Sequence, residues 1–431
     1  MTLLCPQCFG NRGLRRRIIE IRPKFPDEKC DFHPTLKGVP VQEVTKIIDE
    51  VFRSNYGFAE RTYDGEAGDG LETIIYDLTG ADEHNVVRAV IDQLIEDDDY
   101  WPPDGGEAFY HEDVNYERDD FALSTHSRLW DEFRDSIVHG QRFFNLSAKD
   151  LLKEIFDGVH LQRNTSGLGP VYMIEPGKDQ ASFYRARVTE TKPVRQEIAQ
   201  DIAGKLGPPP ARSRRAGRMN PAGISTFYGA FDFETCITEL RPTIGSCVTG
   251  AKFAITEPLC VLDTTQFRAP PKELNIFARD RIRRAAQWRF MRRFMDEIGQ
   301  PISPTDEHLD YIPTQAVAEY LLYHHEFSFA GKSGKIEAII YRSAQNPKGK
   351  NIAVLGGAAQ VGVLDEDKPK TEAKEADSLT RQDRWLANFG GPGKFRIAAK
   401  PQTLETRRVT GATYSSSAYK DDYWLDGNDD F

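Results

Sequence analysis

Apolar residues recur in the first third of the chain with the period of a helix. Val41, Val44, Ile47, Ile48, Val51 and Phe52 line one face over 41–52. Val87, Val90, Ile91, Leu94 and Ile95 repeat the pattern over 86–95, and Trp130, Phe133 and Ile137 place a third helix at 128–139. A fourth opens at Ser147, with Asp150 three residues on as in a capping box, and buries Leu151, Leu152, Ile155 and Phe156. An acidic, aromatic loop occupies 96–120. Past the turn-rich NTSGLGP near 164 the segments shorten to β-type runs: PVYMI, ASFYRARV, STFYGAF, AKFAIT and CVLDT. A basic helix over 273–298 and another over 314–323 follow, then the apolar strands in KIEAIIYRSA and NIAVL. From 366 the chain is charged and polar, the composition of a loosely ordered tail. The pattern predicts an α+β protein with a short segment at 1–34, a helical domain at 35–163, an α+β domain at 164–365 and a tail at 366–431.

Charge and cysteine content narrow the function. Among 431 residues, 56 Lys+Arg face 66 Asp+Glu, a net charge of −10, which argues against a surface that grips nucleic acid or anionic lipid throughout. No apolar run approaches the roughly 18–20 residues that span a bilayer. The opening MTLLCPQCFGNRGLRRR has no apolar core before its charges, so it does not read as a secretory signal, and a cytoplasmic location is the expectation. Cysteines there stay mostly reduced, which turns Cys5-Pro-Gln-Cys8 and Cys30-Asp-Phe-His33 into candidate ligands. Two tight pairs, three thiolates and one imidazole, suit a structural tetrahedral zinc. A redox pair is the alternative, but the setting is not thioredoxin-like. Cys236, Cys247 and Cys260 read as core. There is no G-x-G-x-x-G after a strand, so a Rossmann site is not supported. The arginines between Arg279 and Arg293 read first as a solvated helix face.

The most informative series lies between 184 and 343. Tyr184-Arg185 ends a strand-like run; Gly217-Arg218-Met219-Asn220-Pro221 precedes a strand with Tyr228; Glu234-Thr235 and Glu239 sit on a short helix; Tyr341-Arg342-Ser343 ends an apolar strand. Tyr228 and Glu239 are eleven residues apart and Arg218 and Tyr228 ten. This order resembles the RES domain, named for its Arg, Glu and Ser, over about 180 residues. Met219 departs from it, standing where the family usually has Trp. The resemblance implies an ADP-ribosyltransferase-like fold acting on NAD, in toxins that hydrolyse or phosphorolyse NAD or transfer ADP-ribose, with an antitoxin or regulatory protein as partner and a homo-oligomer as an option. The residue types suit that chemistry. Breaking the nicotinamide–ribose bond builds positive charge on the ribose, which a carboxylate, Glu239, would stabilise. Arg185 and Arg218 match the pyrophosphate. Tyr228 offers a ring face to nicotinamide. Ser343 suits a hydrogen bond to the ribose or the nicotinamide amide, and Asn220 a contact with Arg218 or the ligand. Asp232 and Glu234 suit a helix N-terminus.

Arg134-Asp135-x3-His139 is similar to the Arg-x4–6-His of helical HEPN domains, which occur before RES domains and in some members cleave RNA. Residues five apart point about 140° from each other on an ideal helix, so a surface Arg and a His at the helix end is the preferred reading. Two rivals to an NAD-consuming enzyme follow: a HEPN-type ribonuclease whose RES domain senses NAD, and a non-catalytic interaction protein.

Overall fold

The computed structural model describes residues 2–59, 61–62, 65–98, 108–118, 124–300, 307–329, 332–363 and 395–411. Its helices, in chain order, are α1 (Arg12–Ile21), α2 (Val41–Arg53), α3 (Leu71–Thr79), α4 (His84–Glu96), α5 (Thr125–Val138), α6 (Leu146–Phe156), α7 (Lys192–Gln200), α8 (Ile202–Leu206), α9 (Phe233–Glu239), α10 (Arg281–Gly299) and α11 (Glu307–Tyr323). Helices and a large sheet together make the protein a mixed α+β structure. The chain divides into two compact units. One holds Met1–Tyr172 with Leu262–Ile336, the other Met173–Val261 with Glu337–Phe431.

The first unit is mainly helical. The apolar stripe read at 41–52 is its core: Val44, Ile48 and Phe52 of α2 are buried with Ile75 of α3 and Val90 of α4. Near them, the strand Asn115–Arg118 pairs antiparallel with Tyr56–Phe58. Of the acidic loop at 96–120, residues 99–107 and 119–120 lie outside the described residues. A second, aromatic core joins α5, α6 and α10. Trp130 lies 5.6 Å from Phe290 and 5.3 Å from Phe294, and Phe156 lies 6.0 Å from Phe294, between ring centroids.

Three helix starts differ from the sequence reading. α6 begins at Leu146 because Asn145 caps it, its side chain accepting from Ala148 N at 2.9 Å; Ser147 already lies inside the helix. α10 begins at Arg281, since the Asn275 side chain accepts from Phe277 N at 2.9 Å and holds a local turn that competes with helix. α11 begins at Glu307 and carries Pro313 internally.

This unit also buries histidines. His126 and His325 are 3% exposed each, and among the described residues neither ring nitrogen of His126 nor Nε2 of His325 has a hydrogen-bond partner. Burial pushes both rings down to about 4, helped by Arg283 at His126 and by His160 at His325. Their folded pKa lies below the unfolded value of about 6.5, so their contribution to stability is complete above pH 6.5 and is lost as pH falls towards 4. Each ring is expected to withdraw on the order of 3 kcal/mol by pH 4. Denaturant midpoints at pH 7 and pH 4.5 check this: the protein with His126→Phe and His325→Phe together should lose less stability than wild type over that interval. Equal losses would assign the acid weakness to other groups.

The second unit is built on a nine-stranded sheet. In chain order its strands are β1 (Val171–Ile174), β2 (Ser182–Thr189), β3 (Thr226–Ala230), β4 (Cys247–Ile255), β5 (Leu259–Asp263), β6 (Ala338–Arg342), β7 (Lys350–Leu355), β8 (Val361–Val363) and β9 (Ile397–Arg408). The spatial order is β8-β9-β4-β2-β3-β7-β6-β5-β1. β4 pairs antiparallel with β2 from Cys247↔Thr189 to Ala254↔Ser182, and β7 pairs antiparallel with both β3 and β6. β2 and β3 share a single register pair among the described residues, Tyr184↔Ala230. The strand β9 is a correction: it falls in the stretch read as a loosely ordered tail, yet it runs antiparallel along β4, with Ile397, Ala398 and Ala399 buried. The rest of that stretch, 366–394 and 412–431, lies outside the described residues. Aromatic packing of Phe183, Phe227 and Phe253 ties β2, β3 and β4 together, with ring centroids 5.3 and 5.0 Å apart. Through Phe233 and Cys236, α9 packs on Ala186, Ala230 and Val248.

Candidate active site and metal-ligand cluster

Arg185 projects from β2 beside β3. Its Nη1 donates to the Tyr228 carbonyl at 2.9 Å, and its guanidinium lies 5.0 Å from the centre of the Phe227 ring. Burial pushes it down to about 10, with the like charge of Arg187 adding to the effect. It remains a cation at neutral pH, and no carboxylate among the described residues lies within ion-pair distance of it. A half-buried cation held by a carbonyl and a ring face is arranged to receive an anion.

The loop before β3 is a tight turn. Gly217 and Asn220 exchange backbone hydrogen bonds at 2.9 and 3.2 Å, which puts Arg218 and Met219 at its tip. A Cβ on Gly217 would lie 2.7 Å from the Tyr228 hydroxyl, so the turn admits glycine there. Asn220 is buried; its amide nitrogen donates to the carbonyls of Arg215, Pro221 and Ile224, and its Oδ1 accepts from the Tyr228 hydroxyl at 2.7 Å. The same hydroxyl accepts from Met219 N at 2.9 Å. Asn220 therefore fixes the loop and the Tyr228 ring. Met219 is 3% exposed and packs inside as a core residue of this turn.

Glu239 ends α9. Asp232 caps the start of that helix, accepting from Thr235 N and Thr235 Oγ1 at 2.7 Å each. Asn346 Nδ2 donates to Thr235 Oγ1 at 2.8 Å, which ties the helix to the turn after β6. At the other end, Glu239 Oε1 accepts from Ser343 Oγ at 2.5 Å and from Asn351 Nδ2 at 2.7 Å. No hydrogen bond to Oε2 occurs among the described residues. The Ser343 hydroxyl also accepts from Gln345 N and Asn346 N at 3.2 and 2.9 Å. Its donor and acceptor capacity is thus spent on holding the carboxylate and the turn. Asn351 was missed by the sequence reading. It opens the apolar run of β7, lies opposite both Ala230 and Tyr341, and is 5% exposed; the one sequence signal is a polar amide at the head of an apolar run. Glu234 is exposed and pairs with Arg407 at 3.3 Å, away from this cluster of bonds.

The structure thus joins Glu239 to Ser343, and Arg185, Tyr228 and Asn220 to one another, through direct hydrogen bonds. The family model described as RES domain matches residues 183–376. The chain carries a RES domain. Arg185, Arg218, Asn220, Tyr228, Glu239 and Ser343 all fall within it, and a RES domain points to an NAD-related function. No curated protein and no solved structure matches the chain.

Outside the RES domain, Cys5, Cys8, Cys30 and His33 bring their ligand atoms within 4.8 Å of one another. The Cys8 Sγ lies 3.9 Å from that of Cys5 and 3.5 Å from that of Cys30, and His33 Nδ1 lies 3.5 Å from both Cys5 and Cys8. A tetrahedral zinc with ordinary bond lengths has ligand edges of about 3.6–3.8 Å. The cluster could hold a metal ion. Its three cysteines are continuous with the core that contains Phe9, Leu14 and Ile18.

Arg134 and His139 are both exposed, and His139 is the residue that closes α5, its N–H bonded to the Asp135 carbonyl at 3.0 Å. That is the arrangement of a surface arginine and a helix-terminal histidine.

Proposed function

We propose that the RES domain cleaves the nicotinamide–ribose bond of NAD. The observation that carries this reading is the Glu239 carboxylate, held through one oxygen by Ser343 and Asn351 with the other left for substrate. As the bond breaks, positive charge develops on the ribose, and a prepositioned carboxylate stabilises that charge more than it stabilises the ground state. Ser343 and Asn351 act as positioning residues for it. Arg185 and Arg218 take the pyrophosphate, with Arg185 contributing a charge that is already partly desolvated. Tyr228, its hydroxyl fixed at both ends, presents its ring to nicotinamide. Water, phosphate or a protein side chain then accepts the ADP-ribosyl group. Incubating the protein with NAD, with and without phosphate, and analysing for free nicotinamide and the ribosyl product tests the reading. Absence of nicotinamide release would leave an NAD sensor or an interaction module in its place.

The Cys5, Cys8, Cys30 and His33 cluster we assign to structural zinc. Its four protein ligands close the coordination sphere, so the metal would brace the fold and take no part in chemistry. Purified protein is expected to hold about one zinc per chain, and Cys8→Ser to lose it together with thermal stability, because metal binding and folding of this segment are coupled. Metal analysis finding no zinc in protein expressed with zinc present would overturn the assignment.

A further inference from the structure

We propose that the first unit carries a second ligand site, a basic cleft that binds the phosphate of a nucleotide. A cavity of about 360 Å³ lies between the start of α10 and the irregular segment before it. Arg118, Lys272, Arg281 and Arg284 supply four cations to its lining, against the single carboxylate of Glu273. Leu274 and Ile276 add an apolar wall of the kind that receives a flat ring.

The charges in this cleft are compensated only in part: Arg284 Nη1 pairs with Asp280 at 3.5 Å, and Glu273 lies near Arg281. Arg281 is half-buried, donates to the Asn55 Oδ1 at 2.5 Å, and has no carboxylate within ion-pair distance among the described residues. Burial lowers its pKa, and the nearby Arg118 lowers it further. Arg284 turns one nitrogen to the Leu161 carbonyl at 2.7 Å, while its buried Nε has no hydrogen-bond partner among the described residues. The floor is rigid: the Gln162 amide nitrogen, buried, donates to the Arg284 carbonyl at 3.0 Å and to Gln287 Oε1 at 2.8 Å. Like charges drawn together in a pre-formed cleft, two of them half-buried, lower the cost of binding an anion there, because a phosphate relieves the repulsion and supplies a further acceptor. An acidic peptide or an RNA backbone would meet the same cations, but the compact volume and the apolar wall favour a small phosphorylated ring compound.

The test is calorimetric titration of the full chain with ADP and, separately, with pyrophosphate. It is run in protein carrying Arg185→Gln and Arg218→Gln, so that binding at the RES domain does not contribute. Binding that persists there, and that weakens about tenfold or more on adding Arg118→Gln or Arg281→Gln, is the expected result. Arg118 is exposed, so its variant should keep the wild-type melting temperature even where Arg281→Gln, which also loses the bond to Asn55, does not. No ADP binding in the Arg185→Gln, Arg218→Gln background would overturn the proposal. So would binding that Arg118→Gln leaves unchanged, or a cleft that binds single-stranded RNA and ignores ADP. None of these outcomes depends on whether NAD is cleaved.

Discussion

Glu239→Gln is expected to keep the fold and most of the NAD affinity while losing turnover by roughly 10²–10³-fold, the scale for removing one preorganised electrostatic stabiliser. The amide is the size of the carboxylate and can still accept from Ser343 and Asn351 through its carbonyl oxygen. It lacks the negative charge that the developing ribosyl cation requires. The loss therefore falls on kcat and much less on KM, the mark of an interaction made in the transition state. Steady-state nicotinamide release by the purified variant is the measurement. A variant with near wild-type kcat would remove Glu239 from the mechanism, whatever its effect on cells. If the chain drains NAD when overexpressed, the variant should not.

Arg185→Gln is expected to act on binding. Truncating a buried charge-assisted contact costs about 2–5 kcal/mol, which corresponds to roughly 30- to 3,000-fold in Kd. Glutamine keeps a donor for the Tyr228 carbonyl, which Arg185 now satisfies at 2.9 Å, so the fold should suffer less than from alanine. Binding of NAD to the Glu239→Gln protein, with and without Arg185→Gln, separates affinity from turnover. Equal affinities, with equal melting temperatures, would show that the phosphates lie elsewhere.

Most of the constellation was legible because its members carry chemistry in a fixed order: a strand arginine, a Gly-Arg turn, a strand tyrosine, a helical glutamate and a strand-end serine. The roles were less legible than the positions. Ser343 was read as a ligand contact, and its hydroxyl is instead occupied by Glu239 and by two backbone N–H groups. For Asn220 the sequence offers a contact with Arg218 or with the ligand, and its amide is committed to the loop and to Tyr228. Asn351 escaped notice because a polar residue at the start of an apolar run looks like a strand end until its neighbours are known. β9 escaped for a related reason. Its sequence, IAAKPQTLETRR, has one short apolar patch and a proline, and pairing with β4 on one side and β8 on the other makes it a strand. The helical stripes at 41–52 and 86–95 were plain, since a periodic apolar face needs no distant partner to be recognised. That residues 262–336 pack with the first unit has no counterpart in any local pattern.

The bonds that hold Glu239 span long stretches of chain: its partners stand 104 and 112 residues further along. β3 likewise finds β7 across more than a hundred positions. A ribosome that has delivered everything up to residue 336 has made Arg185, Tyr228 and Glu239, but neither of the groups that orient the carboxylate. Assembly must then close a large loop before any of these contacts is gained, which makes it slow relative to the local folding of the N-terminal helices. The carboxylate of Glu239 would thereby stay unoriented until Ser343 and Asn351 have been made and the loop between them and α9 has closed.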